Sequence, residues 1–408
     1  MVRVGVVGAS GYTGGELVRL LIGHREAALT VLASRGSAGK AAAEVYPNLR
    51  GYDLPPISGI AADSLARDCD VVFIAAPAGV AALLAKEILT ARPSVRIVDL
   101  GADFRLKSPA SYQEWYGVPH EAPDLVAEAS YGLPELYRDE IRKSRIVANP
   151  GCYPTAALLA LAPLVSRGIV DLRSLIIDAK SGVSGAGRTP SPGYHFPECE
   201  ENLRAYGVPR HRHTPEIEQE LRRLAMQGLG PRGEAGCGTG TAAGAPGRAD
   251  TDEDGITVTF TPHLVPMSRG ILVTAYGLLK TPAPAVAVRS GASNKTGLPG
   301  YVPRDAAPCP ETTGEGPRPD ALTALYEEFY AHERFVRVLR GSLPETKAVR
   351  GSNFCDIAVR IDVRTGRVVV FSALDNLVKG AAGQAIQNMN VLFGLEESTG
   401  LEAPPVWP

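Results

Sequence analysis

The chain has 408 residues, 45% of them hydrophobic, and a formal net charge of −2. That is length enough for two domains of ordinary size, and a charge so near balance offers no surface for a polyanion, which sets nucleic acid aside as a main partner. Six cysteines without a C-x-x-C pair argue against structural zinc and against a disulfide framework. The N-terminus does not read as a signal peptide and no apolar run is long enough to span a membrane, so a cytoplasmic protein is expected.

Residues 2–7 read as an apolar strand, 8–15 as a glycine-rich turn and 16–21 as the opening of a helix. Strands follow at 29–33, 70–76, 96–100 and 146–148, with a helix over 80–89. Strands that alternate with helices predict a doubly wound parallel sheet. From about residue 172 the rhythm changes. Strands at 175–179, 256–260, 271–275, 356–361 and 368–371 are separated by few helices, chiefly 214–226 and 321–331. The fold class is therefore α/β: a Rossmann-type parallel-sheet domain plus an α+β domain with a mainly antiparallel sheet. The first domain is expected over 1–150, with a last helix over 376–392 returning to it so that 376–408 belongs there too. The second is expected over 151–375. Two stretches within it, 228–255 and 281–319, are rich in Gly, Ala, Thr or Pro without hydrophobic periodicity, and read as mobile surface insertions.

Gly8-Ala9-Ser10-Gly11-Tyr12-Thr13-Gly14 follows the first strand directly. Glycines there let backbone approach a pyrophosphate, and the helix start supplies N–H donors. The end of the second strand, Ser34-Arg35 with Lys40 beyond, carries no carboxylate for a ribose hydroxyl. Serines and cations suit a 2′-phosphate, so NADP(H) is the expected cofactor.

Asn149-Pro150-Gly151-Cys152-Tyr153-Pro154-Thr155 has the order strand, tight turn, helix. It puts Cys152 at a helix N-terminus, where free N–H groups and the dipole favour a thiolate. An activated cysteine beside a nicotinamide site suggests a covalent acyl intermediate that exchanges a hydride. His211-Arg212-His213 supplies imidazoles for proton transfer. Thr214 is read as a helix N-cap with Pro215 at the first helical position. In extended chain His211 and His213 point opposite ways, one toward chemistry and the other toward structure or substrate. Two further segments could bind anions: 180–188, a glycine-rich loop with Ser184, Gly185 and Arg188, and 101–105, ending in Arg105 just past a strand. For Asp103 and Arg105 a structural salt bridge is the plain alternative.

These motifs, together with Asp375-Asn376-Leu377-Val378-Lys379-Gly380, stand in the order found in the N-acetyl-γ-glutamyl-phosphate reductases of the semialdehyde dehydrogenase superfamily, which the chain resembles along nearly its whole length. The two insertions alone lack a counterpart, and Ala78 stands where members often carry a histidine. The resemblance implies NADPH-dependent reduction of N-acetylglutamyl 5-phosphate to the 5-semialdehyde with release of phosphate, in arginine biosynthesis. It implies Cys152 as nucleophile, a histidine acid/base placed here at His213 with His211 near the substrate, and Asn376 beside the nicotinamide; Arg105, Arg188 and Arg212 are the cations expected on the substrate side. It also implies a homodimer or homotetramer; from the cysteine spacing, no metal is expected. The carrier-protein-linked aminoadipyl-phosphate reductases of lysine synthesis are the neighbouring alternative. A nucleotide-binding scaffold without catalysis is a further one, disfavoured by the presence of both Cys152 and the histidine pair.

Overall fold

The computed structural model describes residues 1–228, 256–281 and 319–407. The expected insertions 228–255 and 281–319 thus lie outside the described residues, their end residues apart. Among the described residues the strands form two seven-stranded sheets.

The first sheet contains β1 (Val2–Val7), β2 (Ala27–Ala33), β3 (Ile57–Ser58), β4 (Val71–Ile74), β5 (Arg96–Asp99), β6 (Ala129–Tyr131) and β7 (Ile146–Ala148). Its order is β3-β2-β1-β4-β5-β7-β6 and every pair is parallel. The strands read as unbroken apolar runs because both faces are covered. Val71 and Phe73 of β4 enter one core, and Val72 and Ile74 the other. The order reverses between β1 and β4, and ligands of such sheets bind at the carboxyl ends of strands beside that point.

The second sheet contains β8 (Ile176–Gly182), β9 (Arg204–Ala205), β10 (Thr259–Val265), β11 (Ile271–Leu278), β12 (Val336–Val338), β13 (Cys355–Asp362) and β14 (Arg367–Leu374). It runs β12-β13-β14-β11-β8-β10-β9. The pairs β8/β10 and β12/β13 are parallel and the others antiparallel, in keeping with the mainly antiparallel expectation. The helix Cys152–Ser166 packs on this sheet. Every residue of it after Cys152 is buried, as a helix apolar on all sides must be. Ser372 of β14 donates to Ala156 O at 2.9 Å, and Tyr326 to Ala160 O at 2.6 Å.

The last helix does not run unbroken over 376–392. A five-residue π-helical turn, Val378–Ala382, precedes the helix Gly383–Phe393. The turn is closely packed: a Cβ on Gly380 would lie 2.9 Å from Cys152 Cβ, and one on Gly383 2.4 Å from Asn353 Oδ1. This segment contacts the first sheet's helices. Lys379, fully buried, donates to Glu135 Oε1 at 2.5 Å and to Gln387 Oε1 at 2.7 Å. A buried charge is tolerated there because it is paired and hydrogen-bonded.

Candidate active site

The turn after β7 delivers Cys152 to the place where two clefts meet. One, of about 430 Å³, lies on the side of the second sheet and is lined by Tyr153, Tyr194, Arg204, Tyr206, His211 and Arg212 among others. The other, of about 310 Å³, runs along the glycine turn and is lined by Gly11, Tyr12, Thr13, Gly14, Arg188 and Asn376 among others. Cys152, His213, Arg105 and Gly185 line both.

The glycine turn is shaped for a ligand's backbone contacts. Gly8 has φ +84°, and a Cβ there would sit 2.1 Å from Ala75 O; one on Gly14 would sit 2.2 Å from Gly8 O. Gly11 meets nothing nearer than 3.4 Å and faces the groove. Such a cradle, open at Gly11 and closed by backbone at Gly8 and Gly14, fits a dinucleotide phosphate at the start of the helix Tyr12–Leu21. Gly14→Ala is accordingly expected to weaken cofactor binding about tenfold or more and to destabilise the fold by about 1–3 kcal/mol, measured by calorimetric titration and by melting. At the end of β2, Ser34 is buried and its hydroxyl shares a 2.6 Å hydrogen bond with Ser10. Arg35 is exposed.

His211 and His213 do not face opposite ways. Arg212 and His213 form a turn rather than extended chain, and both rings line the Cys152 cleft, their centroids 4.8 Å apart. The backbone N–H of His213 donates to His211 Nδ1 at 3.1 Å, which leaves the proton of a neutral His211 on Nε2. Tyr153, Tyr206 and Phe260 hold that ring edge-on. Burial and Arg212 push the His211 pKa down to about 4. Burial, His211, Arg105 and Arg212 hold His213 well below its usual value too. Both are therefore neutral at pH 7. The His213 ring lies against the residue before the cysteine, since a Cβ on Gly151 would be 2.5 Å from His213 Nε2. The helix starts at Thr214 with His213 as its cap, one residue earlier than expected, and the Thr214 hydroxyl caps nothing.

Cys152 departs from expectation in its charge. Burial pushes its thiol up to about 11, against the opposing pull of Arg105 and the local N–H groups. Glu216 adds to the rise. The desolvation of a small thiolate outweighs the helix start here. At pH 7 a thiol of that pKa is ionised in only roughly one molecule in 10⁴. Iodoacetamide alkylation of Cys152 should therefore accelerate about tenfold per pH unit from 7 to 10, because only the form gained on raising the pH reacts. A plateau already reached by pH 8 would mean a standing thiolate–imidazolium pair instead.

Glu216, which the sequence reading passed over, organises this corner. Fully buried, it accepts from Gly151 N and from Tyr131 Oη, both at 2.8 Å on Oε1, and its Oε2 lies 3.5 Å from Arg105 Nη1. An acid in a first helical turn normally reads as a partner of the dipole, so tertiary placement alone reveals the role. Arg105 also donates to Asn149 O at 2.9 Å and Leu100 O at 3.0 Å. It does not pair with Asp103, which instead accepts from Gly79 N, Ala82 N and Tyr112 Oη at the head of the helix Val80–Ala91. Arg212 lines the larger cleft beside Tyr116. Arg204, also missed, lines it too and donates to Gly193 O at 2.6 Å. Arg188 lies elsewhere: it donates to Ser10 O at 3.0 Å and stacks over Tyr46, on the glycine-turn side. Ser184 and Asn376 are joined at 2.9 Å and line the groove.

Family comparison accords with this geometry. Residues 3–144 match the model for the semialdehyde dehydrogenase NAD binding domain, and residues 152–231 and 308–376 that for the semialdehyde dehydrogenase dimerisation domain. An N-acetyl-gamma-glutamyl-phosphate reductase of Desulforamulus reducens is 48% identical over 409 residues, covering 100% of both chains. One of Symbiobacterium thermophilum is 48% identical over 411 residues, covering 100% of this chain and 99% of that one. The chain belongs to the N-acetyl-gamma-glutamyl-phosphate reductase family. Members are oxidoreductases that use a nicotinamide cofactor, and the groove along the glycine turn is where this family's dinucleotide fold would hold it. The fold recurs in aspartate semialdehyde dehydrogenase of Candida albicans, solved with NADP, at a TM-score of 0.60 and 16% identity over 96% of this chain and 98% of that one. Among the described residues no cluster of three His, Cys, Asp or Glu could hold a metal ion, and no helix is long and apolar enough to cross a membrane.

Proposed function

We propose that the chain reduces N-acetyl-γ-glutamyl phosphate to N-acetylglutamate 5-semialdehyde with NADPH, releasing phosphate, as a cytoplasmic homodimer or homotetramer serving arginine biosynthesis. One observation carries the reading: a single sulfur stands at the meeting of a dinucleotide-shaped groove and a cation-rimmed cleft, with a neutral imidazole beside it. The relatives described above favour the glutamyl substrate over the carrier-linked aminoadipyl one.

In this account substrate binding brings the acyl phosphate to Cys152. His213 takes the thiol proton, sulfur bonds to the acyl carbon, and the carbon–oxygen bond to phosphate breaks. Arg105, which borders both clefts, faces the phosphoryl end; Arg204 and Arg212, which border only the larger one, face the distal carboxylate. His211 donates its Nε2 proton in a hydrogen bond to the carbonyl oxygen as charge develops there. Gly11, Tyr12, Thr13, Arg188, Ser184, Gly185 and Asn376 would hold the cofactor, with Arg35 near a 2′-phosphate. Bound there, the reduced nicotinamide supplies the hydride that takes the thioester to the aldehyde level. His213 then returns its proton to sulfur as the product leaves.

The test is phosphate-dependent oxidation of N-acetylglutamate semialdehyde with NADP⁺ and with NAD⁺. Turnover with NADP⁺ is expected, with His213→Asn slower by roughly 10²–10⁴-fold. A dead His211→Asn beside an active His213→Asn would reverse the two roles. Turnover only of a carrier-linked aminoadipyl semialdehyde would move the substrate assignment to the alternative.

A further inference from the structure

The dinucleotide groove has two walls, and they come from different sheets. One is the glycine turn at the head of the helix Tyr12–Leu21; the other carries Ser184 and Asn376. Behind the groove an ion pair joins them that the reaction scheme above does not use. Arg269, on the turn between β10 and β11, donates from Nη1 to Glu16 Oε1 at 2.9 Å and from Nη2 to Glu16 Oε2 at 2.8 Å. Arg19 adds a 2.7 Å bond to the same carboxylate. Glu16 is 4% exposed. Burial opposes its charge, but the two guanidinium groups prevail and hold its carboxyl at about 2.

The turn bearing Arg269 also grips the opposite wall through its backbone. Gly182 N donates to Gly270 O at 2.9 Å, Val183 N to Met267 O at 2.9 Å and Ser184 N to Ser268 O at 3.2 Å. Gly270 N donates to Asn376 Oδ1 at 2.7 Å, and Asn376 Nδ2 to Ser184 Oγ at 2.9 Å. There is no slack in this packing, because a Cβ on Gly182 would lie 2.8 Å from Met267 O. Movement of Arg269 is therefore passed to Ser184 and Asn376, while Glu16 stands two residues beyond Gly14. Neither Glu16 nor Arg269 lines the groove itself.

We propose that the Glu16–Arg269 pair is a positioning device that fixes the spacing of the two groove walls and so the seat of the dinucleotide. The proposal rests on reading that groove as the NADP(H) site. A bidentate guanidinium–carboxylate bond suits the task because it fixes orientation as well as distance.

The experiment titrates NADP⁺ by calorimetry into cofactor-free wild type, Glu16→Gln and Arg269→Lys, with Asp70→Asn as control. Asp70 pairs with Arg3 at the opposite end of the first sheet. Glu16→Gln is expected to weaken NADP⁺ about tenfold or more, and Arg269→Lys, which keeps the charge and loses the fork, by less. KM for the acyl phosphate and the alkylation rate of Cys152 should stay within about twofold of wild type, and Asp70→Asn should bind NADP⁺ normally. Should Glu16→Gln not fold, Arg269→Lys carries the test. A purely structural role would lower the melting temperature of Glu16→Gln and Asp70→Asn alike and leave NADP⁺ affinity unmoved, and that result overturns the proposal. A wild-type chain that takes up no NADP⁺ would overturn the cofactor reading first, and the proposal with it.

Discussion

Cys152→Ser is expected to lower kcat for semialdehyde oxidation by at least about 10³-fold while leaving NADP⁺ affinity unchanged. The substitution exchanges one atom at the head of a buried helix and disturbs little packing. What it removes is a polarisable nucleophile. An alcohol in the same place has a far higher pKa than a thiol already pushed up to about 11, and His213, neutral and held well below its usual pKa, is too weak a base to compensate. Steady-state rates and calorimetric NADP⁺ titration, run on the same preparation, check both halves. Residual activity within about tenfold of wild type would remove the sulfur from the reaction path.

Glu216→Ala should be the most damaging single change away from the sulfur. It strips the acceptor from Gly151 N and Tyr131 Oη and leaves the Arg105 guanidinium, itself 7% exposed, without its carboxylate. Breaking a buried pair by removing one partner costs about 3–5 kcal/mol, because the charge left behind stays desolvated. The same loss frees the turn that aims Cys152, so a further fall of roughly 10²-fold in kcat is expected in whatever folds. Glu216→Gln separates the two effects. It keeps an acceptor for Gly151 and Tyr131 but not the charge, and should recover most of the turn geometry while still destabilising Arg105. Denaturant unfolding read beside kcat distinguishes them. A Glu216→Ala protein that melts and turns over like wild type would place Glu216 outside the machinery.

Much of the fold was legible because the first sheet's central strands are covered on both faces and read as apolar runs, while β8 and β14 of the second sheet alternate buried with more exposed positions. β1, β4, β5, β7, β8, β11, β13 and β14 all fall within a few residues of where the sequence puts them. The strands that escaped notice are β3, β6, β9 and β12, and each lies at the edge of its sheet. They are two or three residues long, too short for any period to register, as edge strands often are. At the site, turn and helix punctuation singled out Cys152, His211, His213 and Arg105, and the structure brings the four to one cleft. Their electrostatics were not legible in the sequence. The helix start at Cys152 suggested a thiolate, but local sequence carries no measure of the desolvation that three-dimensional packing imposes. For the same reason Glu216 and Arg204 went unseen, since each acts on residues distant in the chain, and Arg188 was put on the substrate side although it folds back onto Ser10.

The most direct test of the covalent account needs no cofactor at all. Cofactor-free protein is mixed with N-acetyl-γ-glutamyl phosphate, quenched within one turnover, and analysed for free phosphate and by peptide mass spectrometry. The account predicts a burst of phosphate equal to the concentration of active sites and an N-acetylglutamyl group on the peptide that holds Cys152. Phosphate released only when NADPH is present, with that peptide unmodified, would contradict it.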